Sequence, residues 1–113
     1  MNTNKNARFQ QLLMVSNPNI VRKNLKQYLG SGYELYMSDK INKKYMIFDQ
    51  STDTMISFGD MRFEDFTKHN DLQRRERYLK RATKIKGNWI NDKLSANNLA
   101  MNLLWRYDSK KMN

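Results

Sequence analysis

The sequence predicts an α+β domain: a small three-stranded antiparallel meander with N-terminal helices and a helical C-terminal half. Three observations carry this. Asn17-Pro18 and Gly30 bracket a stretch of helical apolar spacing; from Tyr33 the apolar period falls to two, in short runs separated by polar turns; and beyond Asp60 the spacing is helical again. No stretch of linker composition interrupts the chain, so residues 1–113 read as one domain, with residues 1–16 as an arm, flexible or helical, and 107–113 as a tail.

Taken in order, Ala7 to Val15 carries Phe9, Leu12 and Leu13 at helical spacing and predicts a short helix. Asn17-Pro18 starts the next one, because Asn caps free N–H groups and proline at the first helical position sacrifices no bond. Ile20, Val21, Leu25, Tyr28 and Leu29 form its apolar stripe, and Gly30 stops it. Tyr33, Leu35 and Met37 alternate with Glu34, Tyr36 and Ser38, as on a half-buried strand. Tyr45-Met46-Ile47-Phe48 is apolar on both faces, which predicts a central strand covered on each side, and Met55-Ile56-Ser57-Phe58 is the third strand. Gly59-Asp60 is expected to break that strand, with Asp60 capping a short helix that turns Phe63 and Phe66 to the core. Asn70 or Asp71 then caps a helix running to about Lys84, with Leu72, Leu79, Ala82 and Ile85 inward and Tyr78 beside them. Trp89 and Ile90 open a connecting loop, and Ser95 caps a last, central helix holding Leu99, Met101, Leu103, Leu104, Trp105 and Tyr107.

Composition narrows the function. The 21 Lys and Arg against 11 Asp and Glu leave a net charge of +10. The absence of cysteine removes disulfides, thiol nucleophiles and Cys-ligated zinc, and a single histidine removes His-rich metal sites. With 39% apolar and 12% aromatic residues the chain is built to fold rather than to stay a disordered basic tail. No run of 18 apolar residues and no signal-peptide core stands in the sequence, so the expectation is a soluble chain, packaged or intracellular, without membrane insertion. Fourteen Asn and 13 Lys are the residue bias of an AT-rich coding genome.

The predicted helix from Leu72 to Ile85 holds Arg74, Arg75, Arg77, Lys80, Arg81 and Lys84 against Glu76 alone, which leaves 6 − 1 = +5, half the net charge of the chain. At 100° per residue Arg74, Arg77, Arg81 and Lys84 fall within an arc of about 80°, a ridge of guanidinium and ammonium groups opposite the apolar side. Such a ridge offers forked donors to carboxylate or phosphate and a field that attracts polyanions. The polyanion contacts expected are therefore Arg74, Arg77, Arg81 and Lys84, with Lys80 and Lys68 in support. A cationic helix face is ordinarily solvation, and Glu76 can pair with Lys80; the charge of the whole chain tips the reading toward a partner.

Other candidates carry less. His69 lies near Glu64 and Asp65, but a lone histidine at a helix end is more often a cap or surface contact than a general base. Glu64, Asp65 and Asp71 are too spread and too surrounded by cations for a Mg²⁺ site. Gly30-Ser31-Gly32 leads into a strand without the lysine of a phosphate-binding loop and reads as a turn. Tyr78 and Trp89 could stack bases beside the ridge; packing, with the Tyr78 hydroxyl at the surface and Trp89 between the last two helices, is the commoner use. No catalytic residue, cofactor, metal or small-molecule substrate is expected.

Lys44-Tyr45-Met46-Ile47, Phe58-Gly59, Phe63-Glu64-Asp65-Phe66-Thr67-Lys68-His69, Arg74-Arg75, the run from Tyr78 to Trp89, Asn97-Asn98-Leu99 and Leu103-Leu104-Trp105 together resemble a family of small uncharacterised proteins of nucleocytoplasmic large DNA viruses, the giant viruses. The likeness begins at Asn17-Pro18 and spans residues 17–106. The chain departs from the family pattern at Ser95-Ala96, where a Ser-Pro pair is usual, and around Met55-Ile56, where a tryptophan is. The resemblance implies a viral origin and no enzymatic activity. With the basic ridge, it gives the expectation of a non-enzymatic protein that binds an anionic surface as a minor capsid-associated component, partnered by viral capsid or core proteins and located in the virion and, during infection, the host cytoplasm. The alternative is a nucleic-acid-binding protein that uses the helix 72–85.

Overall fold

A computed structural model describes residues 2–107 of the chain; of the expected tail, all but Tyr107 lies outside the described residues. The elements run α1 (Asn2–Val15), α2 (Pro18–Leu29), β1 (Tyr36–Met37), β2 (Lys43–Asp49), β3 (Thr54–Asp60), α3 (Phe66–His69), α4 (Leu72–Ala82), a 3₁₀ turn at Trp89–Asn91, and α5 (Ala96–Leu99), which continues as a π-helical turn over Ala100–Leu104. The strands form one antiparallel sheet in the order β1-β2-β3, with Met37 opposite Tyr45 and Tyr45 opposite Phe58. The α+β meander expected from the period changes is present.

One face of the sheet and the two flanking helical layers enclose the core. Tyr45, Ile47 and Phe58 point into it and meet Leu12 of α1, Val21 and Leu25 of α2, Phe66 of α3, and Leu99, Leu103 and Leu104 of the last helix. The π turn closes with the Trp105 N–H on the Ala100 carbonyl, 3.3 Å away. Its wider winding lets Leu99, Leu103 and Leu104 all be buried, which a regular 3.6-residue turn spreads over a broader arc. Asn24 of α2, itself buried, donates to the Leu103 carbonyl at 2.8 Å and ties the two helices. Asn17 and Ser95 cap their helices through side-chain oxygens, accepting from Asn19 and Asn98.

The structure corrects several local expectations. α1 begins at Asn2 rather than Ala7, since extending a nucleated helix needs no apolar residue. β1 is only two residues long. Phe48 is exposed, as is Met55 opposite it, so the far face of β2 is open at this end instead of covered. Gly59 does not break β3. It lies within the strand at φ +87°, where a Cβ would stand 2.8 Å from Leu104 Cδ1 and 3.1 Å from Lys44 Cβ. Asp60 caps no helix. It binds Arg62 instead, and Phe63 is left exposed. The helix starts later, at Phe66, because Asp65 takes the capping role by accepting from the Thr67 N–H at 3.0 Å. Ile20 sits at the rim of its helix, exposed beside Phe9 and Leu13, and Trp89-Ile90 form the 3₁₀ turn.

A buried polar cluster locks the α1–α2 junction to β2 and α3. Lys44 Nζ donates to the carbonyl of Phe63 (2.6 Å), to Asp65 Oδ2 (3.1 Å) and to the carbonyl of Val15 (3.4 Å). Asp65 also accepts from the Thr67 hydroxyl, Thr67 Oγ1 accepts from the Asn17 N–H, and Tyr45 donates to Ser16 Oγ at 2.7 Å. Three acceptors for three ammonium protons satisfy the charged form of Lys44. Burial pulls its pKa below the ordinary lysine value, while the Asp65 carboxylate opposes the shift.

Candidate polyanion-binding groove

Helix α4 starts where the Asp71 carboxylate accepts from the N–H groups of Gln73 (3.0 Å) and Arg74 (3.2 Å); those bonds hold its carboxyl below the usual range. The face it turns inward shares Ala82 and Tyr78 with the one hydropathy predicts, but Leu72 and Ile85 are exposed and Arg75 joins the anchors. Tyr78 stacks on Trp105 at 4.2 Å with only 6° between the rings, and burial pushes its phenol up to about 12. Arg75 Nε donates to the Trp105 carbonyl at 2.6 Å, and its guanidinium lies over the rings of Phe66 and Tyr107. An aromatic stack and one guanidinium bond thus fix the rotation of the helix, and its leucines do not.

That rotation aims one flank of α4 at a hollow of about 730 Å³ between the helix, the end of the β2–β3 ladder, the 3₁₀ turn and α5. Arg74, Arg77 and Arg81 line it, joined by Lys43 of β2 and Lys86 beyond the helix. Asp60 and Glu64 are the carboxylates on its rim; Lys44 also lines it but is paired with the buried Asp65, so the other five cations against these two anions leave an excess of three positive charges. Glu64 reaches Arg74 at 3.5 Å, and Asp60 is held by Arg62 at 2.8 Å, a pairing that keeps the Asp60 carboxyl low. Arg77 and Arg81 have no carboxylate within 4.0 Å among the described residues. The floor is apolar: Phe58, Ala82, Ala100, Leu104 and Trp105.

Of the six residues expected to act together, three do. Lys80 lies one residue around the helix from Arg81, away from the groove, and pairs with Glu76 at 3.7 Å. Lys84 falls in the turn after α4, which ends at Ala82, so it leaves the ridge. Lys68 donates to the Leu13 carbonyl at 2.9 Å on the opposite side of α3 and ties down the end of α1. The ridge therefore narrows to Arg74, Arg77 and Arg81. Sequence reading set the half-buried Trp89 beside the ridge but passed over Lys43. A strand lysine next to the inward Lys44 was a signal for Lys43, and Lys86, one residue past the predicted helix, extends the same basic run.

The remaining candidates have local roles. His69 Nδ1 accepts from the Asp71 N–H at 2.8 Å and holds the α3–α4 corner, and burial, followed by the nearby Arg74 charge, lowers its pKa. Asp65 pairs with Lys44, Asp71 caps α4 and Glu64 faces Arg74; among the described residues no three His, Asp or Glu side chains stand together as metal ligands. No described helix is long and apolar enough to cross a membrane.

Residues 33–82, from the approach to β1 to the last residue of α4, match the family of unknown function DUF5754. That segment holds the arginine wall of the groove and its strand end, and stops short of Trp89 and α5. No curated protein and no solved structure matches the chain.

Proposed function

We propose that this protein is a non-enzymatic binding module that holds an anionic partner in the α4 groove, and that it serves as a minor capsid-associated component of a large DNA virus. One observation carries the binding role: Arg77 and Arg81, two forked donors one helical turn apart and unpaired among the described residues, open onto a hollow with an excess of positive charge. The viral setting is supported by the resemblance of the Phe63–Trp105 block to small giant-virus proteins. Arg74, Arg77 and Arg81 make the primary contacts; Lys43 and Lys86 extend the field.

A second reading, nucleic-acid binding by the same helix, draws on the exposed Phe63 and the half-buried Trp89 beside the guanidinium groups. Three phosphate contacts give an affinity that falls about 40-fold between 50 and 200 mM salt, from a slope of about −0.9 per contact. The test is binding of a fluorescent glutamate 20-mer and of a duplex DNA to wild type and to a variant with Arg74, Arg77 and Arg81 all replaced by serine, at both salt concentrations. Loss of binding in the triple variant, with Lys68→Ser and Lys80→Ser unaffected, is expected; unchanged affinity in the triple variant overturns the site. Fractionation of purified particles into shell and genome-containing core then assigns the partner.

A further inference from the structure

We infer that the occupant of the groove is a segment of a partner protein that combines acidic side chains with bulky apolar ones, and that the apolar side chains seat on the floor beneath the arginines. This rests on the groove reading above and names the partner for it. The aromatic faces separate the two macromolecules. Tyr78 and Trp105 spend a face each on one another, His69 lies against Trp105 at 5.2 Å, and Arg62 covers the ring of Phe63 at 5.2 Å. Bases need open ring faces to stack on, and in this groove only the half-buried Trp89 and one face of Phe63 offer them.

The floor has the opposite character. Ala96 and Ala100 line the hollow with small side chains, the exposed Phe63 and Ile85 add apolar surface, and the buried Phe58, Ala82 and Leu104 back it. A volume of about 730 Å³ lies within the range of pockets that take drug-sized ligands, enough for several side chains of a peptide. Arg77 and Arg81 stand about 5–6 Å apart at their Cβ atoms, as i and i+4 on a helix, close to the ~6.6 Å between alternate residues of an extended chain. Two carboxylates on such a chain meet both guanidinium groups at once.

The probes are labelled 12-residue peptides of alternating Glu-Leu and alternating Glu-Ser, equal in charge, and an oligothymidylate with the same number of charges, each titrated at 100 mM salt with fluorescence anisotropy as readout. Burying even one leucine side chain makes the Glu-Leu peptide bind about tenfold or more tightly than Glu-Ser. Ala96→Trp, which fills the hollow from an exposed position, cancels that excess, whereas Arg77→Ser with Arg81→Ser removes binding of both peptides; thermal melts verify that the variants fold. Equal affinity for the two peptides overturns the inference while leaving an anion site standing. Tighter binding of oligothymidylate than of either peptide overturns it in favour of nucleic acid. Failure of all three probes to bind overturns this inference and the groove reading together.

Discussion

Replacing Lys44 by methionine tests whether the buried ion pair holds the fold together. The substitution keeps the length of the aliphatic stem, so packing changes little, but it strips the Phe63 and Val15 carbonyls of a donor and leaves the Asp65 carboxylate, 1% exposed, without its cation. Removing one partner of a buried pair costs about 3–5 kcal/mol, because the remaining charge stays out of water. For a chain of 113 residues the unfolding entropy is about 0.24 kcal/mol/K, so the melting temperature is expected to fall by about 12–20 °C, read by circular dichroism. Adding Asp65→Asn to Lys44→Met removes the stranded charge while keeping an oxygen to cap α3, and should recover more than half of the loss. A single variant that melts within about 4 °C of wild type, or a double variant no more stable than the single one, would refute the assignment of Lys44 as a structural cation.

Gly59→Ala is expected to cost about 2–5 kcal/mol, since a positive φ and a Cβ clash with Leu104 add up, whereas Gly30→Ala, with nothing within 4 Å, meets only the backbone strain of about 1–3 kcal/mol; urea midpoints at unchanged m distinguish the two. The Tyr78 phenol is raised by burial, so its folded pKa of about 12 exceeds the unfolded value near 10: the stability it contributes is fully present below pH 10 and is lost as pH rises toward 12. Tyr78→Phe should flatten that alkaline limb of the melting profile, and an unaltered limb would show the phenol to be solvated. Asn98 Nδ2 donates to the carbonyls of Trp89, Ile90 and Asp92 at 2.9–3.1 Å, so Asn98→Ala should cost about 1–3 kcal/mol and speed amide exchange at Asp92, whose N–H closes the 3₁₀ turn; protection equal to wild type at Asp92 argues that the turn stands by itself.

Local chemistry made much of this protein readable from its residues. Asn17-Pro18 and Ser95 act within two or three positions of themselves, so each could be assigned as a cap from the chain alone, the next cap was narrowed to Asn70 or Asp71 before the structure chose Asp71, and the change of period at Tyr33 located the sheet. The grouping of Arg74, Arg77 and Arg81 follows from helix geometry in the same way. Where a helix ends and which way it faces are different matters. Asp65 displaced Asp60 as the cap because Lys44, 21 residues away, neutralises it from β2, and the rotation of α4 was set by Trp105 through Tyr78 and Arg75 rather than by Leu72 and Ile85. Sequence thus determined the elements and the charge that one of them carries, because those depend on neighbours along the chain; only tertiary packing decided that three of the six cations share a hollow with Lys43 and Lys86, because that depends on groups brought together by burial.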